Sequence, residues 1–350
     1  MKSGLAGKVQ TVLGPVAPGD LGVTMPMEHV LTGVSLADEP PLEASAREIY
    51  FATLSPEVLA YVRYYGFRNL EDLRLGDVPT AISEVNLYKQ WGGGTLVDIA
   101  LAESGRDPIG LARISRSTGV KLVMSAGWGA VSLHEEPPLE EDLAAVVAKE
   151  ILEGVGETGI KAGLLGPVKI GAATTKAELT VIRAAGSVQK KTGAPLMLSP
   201  VSVDSSPLVA LDVLAEVGAD PTHVMVAHFG RLPRSVMSGV MNAGSYGLFT
   251  DFGRDPGWHT DGLAIRSRCE AEQIEDIEWL IAQGFIDRIL VSPGIHSRHS
   301  YFKFGGHGYF FIMGSIVPRL KARGLTQEDA DRIILTNPSA VLAFGEPKYR

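Results

Sequence analysis

The sequence predicts a (β/α)8 barrel, and three observations lead to this α/β fold class. Beyond about residue 90, short apolar and β-branched runs alternate with longer segments of helical period. Such alternation is typical of βαβ units around a parallel sheet that is buried on both faces. Counting the run at residues 22–25 gives eight strands, which fit a barrel within 350 residues. No G-x-G-x-x-G follows a strand and no Walker motif occurs, so a nucleotide-binding sheet is disfavoured.

The predicted elements follow one another without a low-complexity linker, so we expect one domain over residues 1–350. Asp107 before Pro108 is a typical N-cap, and Gly119 is a typical helix end. A helical insertion is expected at about residues 43–77, between strands one and two. The predicted strands are 22–25, 94–99, 121–126, 162–165, 195–199, 223–228, 246–251 and 288–292. The predicted helices are 56–65, 108–118, 139–153, 176–191, 207–217, 233–243 and 264–283.

Composition excludes several function classes. The chain has 32 Lys+Arg against 40 Asp+Glu, for a net charge of −8, and no basic block. Nucleic acids and anionic membranes need clustered cations, so neither is an expected partner. The single cysteine, Cys269, fits a reducing compartment. The N-terminus has no signal-type apolar region, and apolar runs such as 144–148 are far shorter than the roughly 20 residues of a membrane span. We expect a cytoplasmic protein.

In barrels of this type, chemistry is located at the carboxyl ends of the strands. Two histidines, His29 and His228, stand at such ends and could share one zinc ion, whose sites typically take three protein ligands and a water. Alternatively, each histidine only bonds a loop carbonyl. The other strand-end residues are Met27, Glu28, Asp98, Gly127, Trp128, Gly166 to Lys169, Ser199, Asp251 and Gly294.

Nine short motifs recur in a fixed order along nearly the whole chain: VQTVLGP (9–15), LGVT (21–24), GGGTLVD (92–98), GRDP (105–108), GIKAG (159–163), AH (227–228), ILVS (289–292), GGHGY (305–309) and NP (337–338). Together they resemble the phosphotriesterase-like family of the amidohydrolase superfamily. The resemblance implies a distorted barrel with two divalent metals at the strand ends, hydrolysis of phosphotriesters, lactones or related esters, and a homodimer.

The metal ligands implied by the resemblance are largely replaced. The family pattern has an H-x-H pair on strand one, a carboxylated Lys or a Glu on strand four, one His each on strands five and six, and an Asp on strand eight. Here Met27, Ser199 and Gly294 occupy three of those positions. The strand-four position falls on Gly166 or Pro167, unless an insertion brings Lys169 into register. A binuclear centre is therefore not expected, because a bridging anion and the strand-eight proton acceptor are missing.

The leading hypothesis is hydrolysis of a small ester, lactone or amide at a metal-poor or metal-independent site centred on His228. In one version Ser199 is the nucleophile, His228 the base and Asp251 the residue that orients it. In a looser version His228 activates water, while Arg254 or Arg106 binds an anionic oxygen.

Two alternatives remain open. One is a hydrolase with a single weakly held zinc or similar divalent ion on His29 and His228, completed by Lys169, Glu28 or water. The other is a non-catalytic ligand-binding barrel. No cofactor is firmly expected. The expected partner is a small-molecule substrate or ligand. Because the predicted mouth of the barrel carries basic and aromatic residues, an anionic ligand would fit it. The residues predicted to bind it are Trp128, Arg254, His296, His299 and Arg106.

Overall fold

A computed structural model describes residues 4–33, 40–65, 69–129, 138–172, 175–201, 204–253, 258–259, 265–266 and 268–348. Eight parallel strands form one sheet whose spatial order follows the chain. The sheet curves into a nearly closed barrel, so the predicted (β/α)8 fold is confirmed. Its strands are β1 Val23–Glu28, β2 Gly93–Asp98, β3 Lys121–Ala126, β4 Leu164–Ile170, β5 Leu196–Pro200, β6 Val224–Val226, β7 Tyr246–Phe249 and β8 Ile289–Val291.

Helices follow the strands and cover the outside of the barrel. Local chemistry places the helix predicted at 108–118 as expected, since Asp107 accepts a hydrogen bond from Gly110 N at 2.9 Å and Gly119 ends the helix with φ 76°. The helix predicted at 264–283 begins only at Glu270, because Ile265–Arg266 pair as a strand. Two π-helical turns, Ile312–Ile316 and Arg332–Thr336, precede the last helices. The helices are α1 Ala44–Phe51, α2 Pro56–Tyr65, α3 Val78–Gln90, α4 Pro108–Thr118, α5 Glu140–Leu152, α6 Lys176–Thr192, α7 Pro207–Glu216, α8 Arg234–Asn242, α9 Glu270–Ala282, α10 Val317–Ala322, α11 Gln327–Asp331 and α12 Asn337–Leu342. Within the described residues, no helix is long and apolar enough to cross a membrane.

The predicted insertion between the first two strands holds α1, α2 and the turn at residues 69–77, which leads into α3. This turn packs against the chain just after β1, where Leu75 N donates to Thr32 O at 3.0 Å. The insertion therefore reaches the carboxyl ends of the strands, which is the face that carries chemistry in such barrels.

A short hairpin, Val9–Thr11 with Gly14–Val16, covers the opposite end of the barrel. Val12 N donates to Leu122 O near the start of β3 at 2.9 Å. A Cβ on Gly163 would lie 2.0 Å from Gln10 O, so this close approach requires glycine.

The closure between β1 and β8 depends on side chains. Within the described chain, these two strands share no backbone ladder. Met27 N donates to Ser292 Oγ at 3.2 Å instead. The buried carboxylate of Glu28 accepts hydrogen bonds from Ser292 Oγ at 2.6 Å, Gly294 N at 3.0 Å and Ile295 N at 2.7 Å. Glu28 therefore points away from the mouth and holds the loop that follows β8.

Strand four differs from its prediction. The predicted strand ended at Leu165, but β4 continues to Ile170, with a register irregularity between Leu165 and Val168. Val168 and Ile170 both pack in the cluster between the sheet and the helices. Side chains alternate along a strand, so Lys169 between them faces the barrel interior.

Candidate active site

His228 lies two residues beyond the end of β6, which stops at Val226 and not at residue 228 as predicted, and it adopts a left-handed backbone with φ 51°. Its Nδ1 lies 2.9 Å from Thr250 Oγ1, a hydrogen-bond distance, at the end of β7. The predicted orienting residue, Asp251, is farther from the ring, with its Oδ2 3.7 Å from Nδ1. The structure therefore brings His228 and Asp251 together, but the nearer partner of the imidazole is Thr250, which the sequence analysis had not singled out.

Asp251 is bound by Arg231, three residues after His228. Arg231 donates two hydrogen bonds to the carboxylate, at 2.6 and 2.8 Å, and both side chains are largely buried. A bidentate pair of this kind fixes the carboxylate and neutralises its charge. Asp251 thus anchors the loop that carries His228, and its predicted role toward the imidazole stays a prediction.

Ser199 and Lys169 face the barrel interior from neighbouring strands. Met197 belongs to the interior cluster and Leu198 to the outer one, so Ser199 points inward. In the ladder between β4 and β5, Lys169 is the register partner of Ser199. Ser199 is 8% exposed, whereas Lys169 is an exposed residue at the carboxyl end of its strand. An ammonium group and a hydroxyl therefore share one side of the mouth.

His29 lies at the end of β1 and is held by the loop after β8. Its backbone N donates to Ile295 O at 2.8 Å, and its Nδ1 lies 3.3 Å from the same oxygen. Tyr309 Oη donates to His29 O at 2.7 Å. His29 therefore has a fixed backbone and bonds a loop carbonyl, which is the alternative that the sequence left open for a strand-end histidine.

Buried acidic groups support the chain behind His29. Asp98 Oδ1 accepts a hydrogen bond from Val30 N at 2.6 Å, whereas Oδ2 is buried without a partner in the described structure. Burial raises the pKa of Asp98 to about 7, against the opposing effect of backbone N–H groups and of the Arg106 charge. Burial also raises the pKa values of Tyr301 and Tyr309, whose hydroxyls are 3.0 Å apart. These groups keep the end of β1 in place.

The residues predicted to bind substrate lie in different surroundings. Trp128 is only 7% exposed and packs in the outer cluster. Arg106 forms a bidentate pair with Glu150 and also donates to Ser125 O, and its side chain is 3% exposed. The Arg106 guanidinium is therefore already bound by protein groups, and these contacts do not support its predicted role in binding a substrate anion. Arg254 lies outside the described residues.

The two loop histidines after β8 are accessible. His296 is exposed, and its Nδ1 lies 3.0 Å from Ser297 Oγ. His299 is partly exposed, and its Nδ1 lies 2.8 Å from Asp72 Oδ2 in the insertion. Asp72 was not predicted, because 227 residues separate it from His299.

The phosphotriesterase family model matches residues 7–342. The chain belongs to this family. An N-acetyltaurine hydrolase from Xenopus tropicalis is 31% identical over 98% of this chain and 99% of the relative. A phosphotriesterase-related protein from Nematostella vectensis is 33% identical over 98% of this chain and 100% of that protein. Hydrolysis is thus the activity class that the family membership indicates.

Solved structures of relatives share the barrel. A resiniferatoxin-binding protein from Rhodobacter sphaeroides superposes with a TM-score of 0.90 at 29% identity, covering 97% of each chain. A lactonase from Listeria monocytogenes has a TM-score of 0.75 at 22% identity, over 97% of this chain and 100% of that one. The second likeness concerns the fold alone.

The donor set of this phosphotriesterase-family barrel does not fit a binuclear metal centre. Met27 is a soft thioether, Ser199 a neutral hydroxyl, and Gly294 has no side chain. Within the described residues, no group of three or more His, Cys, Asp or Glu is arranged to hold a metal ion. Glu28 is occupied by three hydrogen bonds. One weakly held ion on His29, His228 and Lys169 stays a prediction.

Proposed function

We propose that the protein is a hydrolase that cleaves a small ester, lactone or amide carrying an anionic group, at a metal-poor site centred on His228. The observation that carries this proposal is the fixed imidazole at the end of β6, with Nδ1 at 2.9 Å from Thr250 Oγ1. His29 and His228 are the two histidines retained at the family metal positions; Nδ1 of His29 lies near a loop carbonyl, whereas Nδ1 of His228 lies near a side-chain hydroxyl of the neighbouring strand end.

His228 is suited to activate water. When Nδ1 donates to the Thr250 hydroxyl, Nε2 carries the lone pair that takes up a proton. The carboxylate of Asp251, 3.7 Å from Nδ1, favours the same tautomer. Water then bonds to the acyl carbon as its proton moves to Nε2, which is general-base catalysis. Ser199 is not required as a nucleophile in this route.

Lys169 gives the site its preference for anions. Its ammonium group enters the mouth from β4 beside Ser199, and no ion pair engages it within the described residues. A charge-assisted hydrogen bond from an ammonium to a carboxylate or sulfonate holds a small substrate in one orientation. The relative from Xenopus tropicalis is named for hydrolysis of N-acetyltaurine, an amide that carries a sulfonate, and this substrate has the same combination of groups.

The test uses three probes: N-acetyltaurine, a γ-lactone and 4-nitrophenyl acetate, all with chelator-treated protein. We expect turnover of at least one probe, and a loss of about 10²–10⁴ in kcat for His228→Asn, since a general base contributes that much. His223→Asn, at the amino end of β6, is the matched control and should keep the parental rate. Parental turnover by His228→Asn would contradict the proposal.

A second candidate is a non-catalytic binding barrel. The observation that favours it is the structural similarity to a protein named for binding resiniferatoxin. This candidate predicts that no probe is turned over by the parent, while a small ligand still raises its melting temperature. Turnover that disappears in His228→Asn excludes it.

A further inference from the structure

His299 and Asp72 form a carboxylate–imidazole dyad outside the set of family metal positions. One carboxylate oxygen of Asp72 accepts the His299 backbone N–H at 2.6 Å, and the other lies 2.8 Å from His299 Nδ1. The Asp72 side chain is 5% exposed, and the imidazole is 23% exposed. The backbone and the ring of one histidine are thus held by the two oxygens of one buried carboxylate.

This contact determines which ring nitrogen of His299 carries the proton. An ionised carboxylate only accepts hydrogen bonds, so Nδ1 carries the proton and Nε2 is the nitrogen that exchanges one with a substrate. Ser297 Oγ lies 3.2 Å from the same Nδ1 and is 3% exposed. The arrangement is therefore not a Ser-His-Asp triad, in which serine must face Nε2.

The dyad differs from the contact between His228 and Asp251. Asp251 is neutralised by the bidentate Arg231. Among the described residues, the carboxylate of Asp72 pairs with no Lys or Arg, and His299 is its ionic partner. The contact between Asp72 and His299 is therefore not shared with a guanidinium or ammonium group in the described part of the chain.

Backbone contacts hold the dyad at the carboxyl face of the barrel. Arg298 N donates to Asp72 O at 2.9 Å, and Arg63 donates to His299 O at 2.9 Å. The loop that carries His299 also contains Ile295, whose backbone oxygen accepts a hydrogen bond from His29 N at 2.8 Å. His299 therefore stands on the rim of the mouth, on the loop after β8, whereas His228 follows β6.

We propose that His299, positioned by Asp72, is the general acid that protonates the leaving group of the hydrolysis proposed above. Hydrolysis of an amide or alkyl ester needs a proton on the departing nitrogen or oxygen as the bond to the acyl carbon breaks. In this scheme His228 gains the proton of the attacking water and His299 loses one to the leaving group. Proton exchange with solvent restores both rings, so the cycle balances. The inference rests on the proposed function.

The experiment compares two probes with the same acetyl group. The leaving group of 4-nitrophenyl acetate departs as a stable anion and needs no proton, whereas that of N-acetyltaurine is an amine and does. His299→Gln is expected to lower kcat for N-acetyltaurine by about 10²–10⁴ and to change kcat for the nitrophenyl ester little. Asp72→Asn, a change at the positioning residue, should show the same pattern to a smaller extent.

Glu71→Gln is the matched control, because it removes the neighbouring carboxylate that pairs with Arg298 and leaves the dyad intact. It should keep the parental ratio of the two rates. An equal fall for both probes in His299→Gln would indicate a structural role and overturn the inference, while the proposed function stands. If His228→Asn keeps parental rates, the proposed function fails instead. Absence of turnover by the parent would overturn both.

A second measurement does not depend on turnover. Nitrogen-15 spectra of histidine-labelled protein report which ring nitrogen of each histidine is protonated. For neutral His299 we expect the proton on Nδ1, and a shift in Asp72→Asn. A proton on Nε2 in the parent would overturn the inference.

Discussion

Lys169 on β4 stands opposite Ser199 on β5, and both side chains face the interior of the barrel. Neighbouring parallel strands are about 4.8 Å apart, so the ammonium lies within reach of a group bound near the hydroxyl. The register irregularity after Leu165 creates this relationship, because it changes which residues of β4 point inward.

Lys169→Met keeps an unbranched side chain that is shorter by one atom and removes its charge. We expect KM for N-acetyltaurine to rise about 10- to 100-fold, since a hydrogen bond to a charged group contributes about 1.5–3 kcal/mol. KM for a neutral lactone should not change. Lys121→Met, at the amino end of β3, is the control. Equal changes for both substrates would show that Lys169 does not bind the anion.

Ser199→Ala separates water attack from an acyl-enzyme route. Because the proposed base acts on water, we expect the variant to keep turnover within about an order of magnitude, far from the loss that follows removal of a nucleophile. Rapid-quench kinetics of 4-nitrophenyl acetate should show no burst in parent or variant. A stoichiometric burst in the parent that is abolished by Ser199→Ala would restore the nucleophile hypothesis.

Metal content is the third prediction. Elemental analysis of the purified protein should find well below one equivalent of zinc or manganese per chain. The triple variant Met27→His, Ser199→His and Gly294→Asp should bind more metal, since these changes restore nitrogen and oxygen ligands. Gly294 has φ 72°, a left-handed conformation in which Asp is among the better tolerated side chains. Two metal ions per chain in the parent protein would show that the residues of the site do hold a binuclear centre.

Arg231→Met leaves the carboxylate of Asp251 buried without its partner. Breaking a buried pair in this way costs about 3–5 kcal/mol in the free energy of unfolding, measured by urea denaturation. The double variant Arg231→Met with Asp251→Asn should recover part of the loss, because Asn is neutral and tolerates the left-handed φ of 66°. If the single variant has parental stability, this pair contributes nothing to holding the loop of His228.

Asp98 makes stability depend on pH. Its pKa is about 7 in the folded protein, raised mainly by burial from the ordinary 3.8. A raised pKa means that its contribution to stability is complete below the unfolded pKa and is lost as pH rises toward 7. Asp98→Asn should therefore gain stability relative to the parent between pH 4 and 7, by at most about 1.4 kcal/mol per pH unit. A pH-independent difference in urea midpoints would contradict this assignment.

The sequence predicted the barrel because its strands are buried on both faces and read as continuous apolar runs. The predicted end of strand four was wrong, because the apolar run stops at Leu165, before Gly166 and Pro167. The structure shows that β4 continues through them to Ile170. The register irregularity between Leu165 and Val168 is held by the neighbouring strands, so the local sequence has no alternating pattern of apolar residues that would predict it.

The positions of the candidate site residues in the fold could be predicted in part, whereas their roles stay predictions. Strand-end residues such as His228 and Ser199 follow from the position of each apolar run, because the topology places all such ends on one face. The hydrogen-bond partners of the candidate histidines cannot be predicted in the same way. Thr250 lies on another strand, and Asp72 lies in an insertion remote in sequence from His299. Only the folded chain brings these pairs within hydrogen-bond distance.

The junction of β1 and β8 has a consequence for the range of ligands. A backbone ladder is periodic, so shifting it breaks many bonds together, whereas Ser292 and Glu28 join these strands through a few side-chain contacts. A small shear at this junction would change the width of the mouth and leave the ladders among the other strands intact. Because His29 and the loop that carries His299 lie on its two sides, we expect such a shear to change the distance between these two histidines, and with it the size of ligand that fits between them.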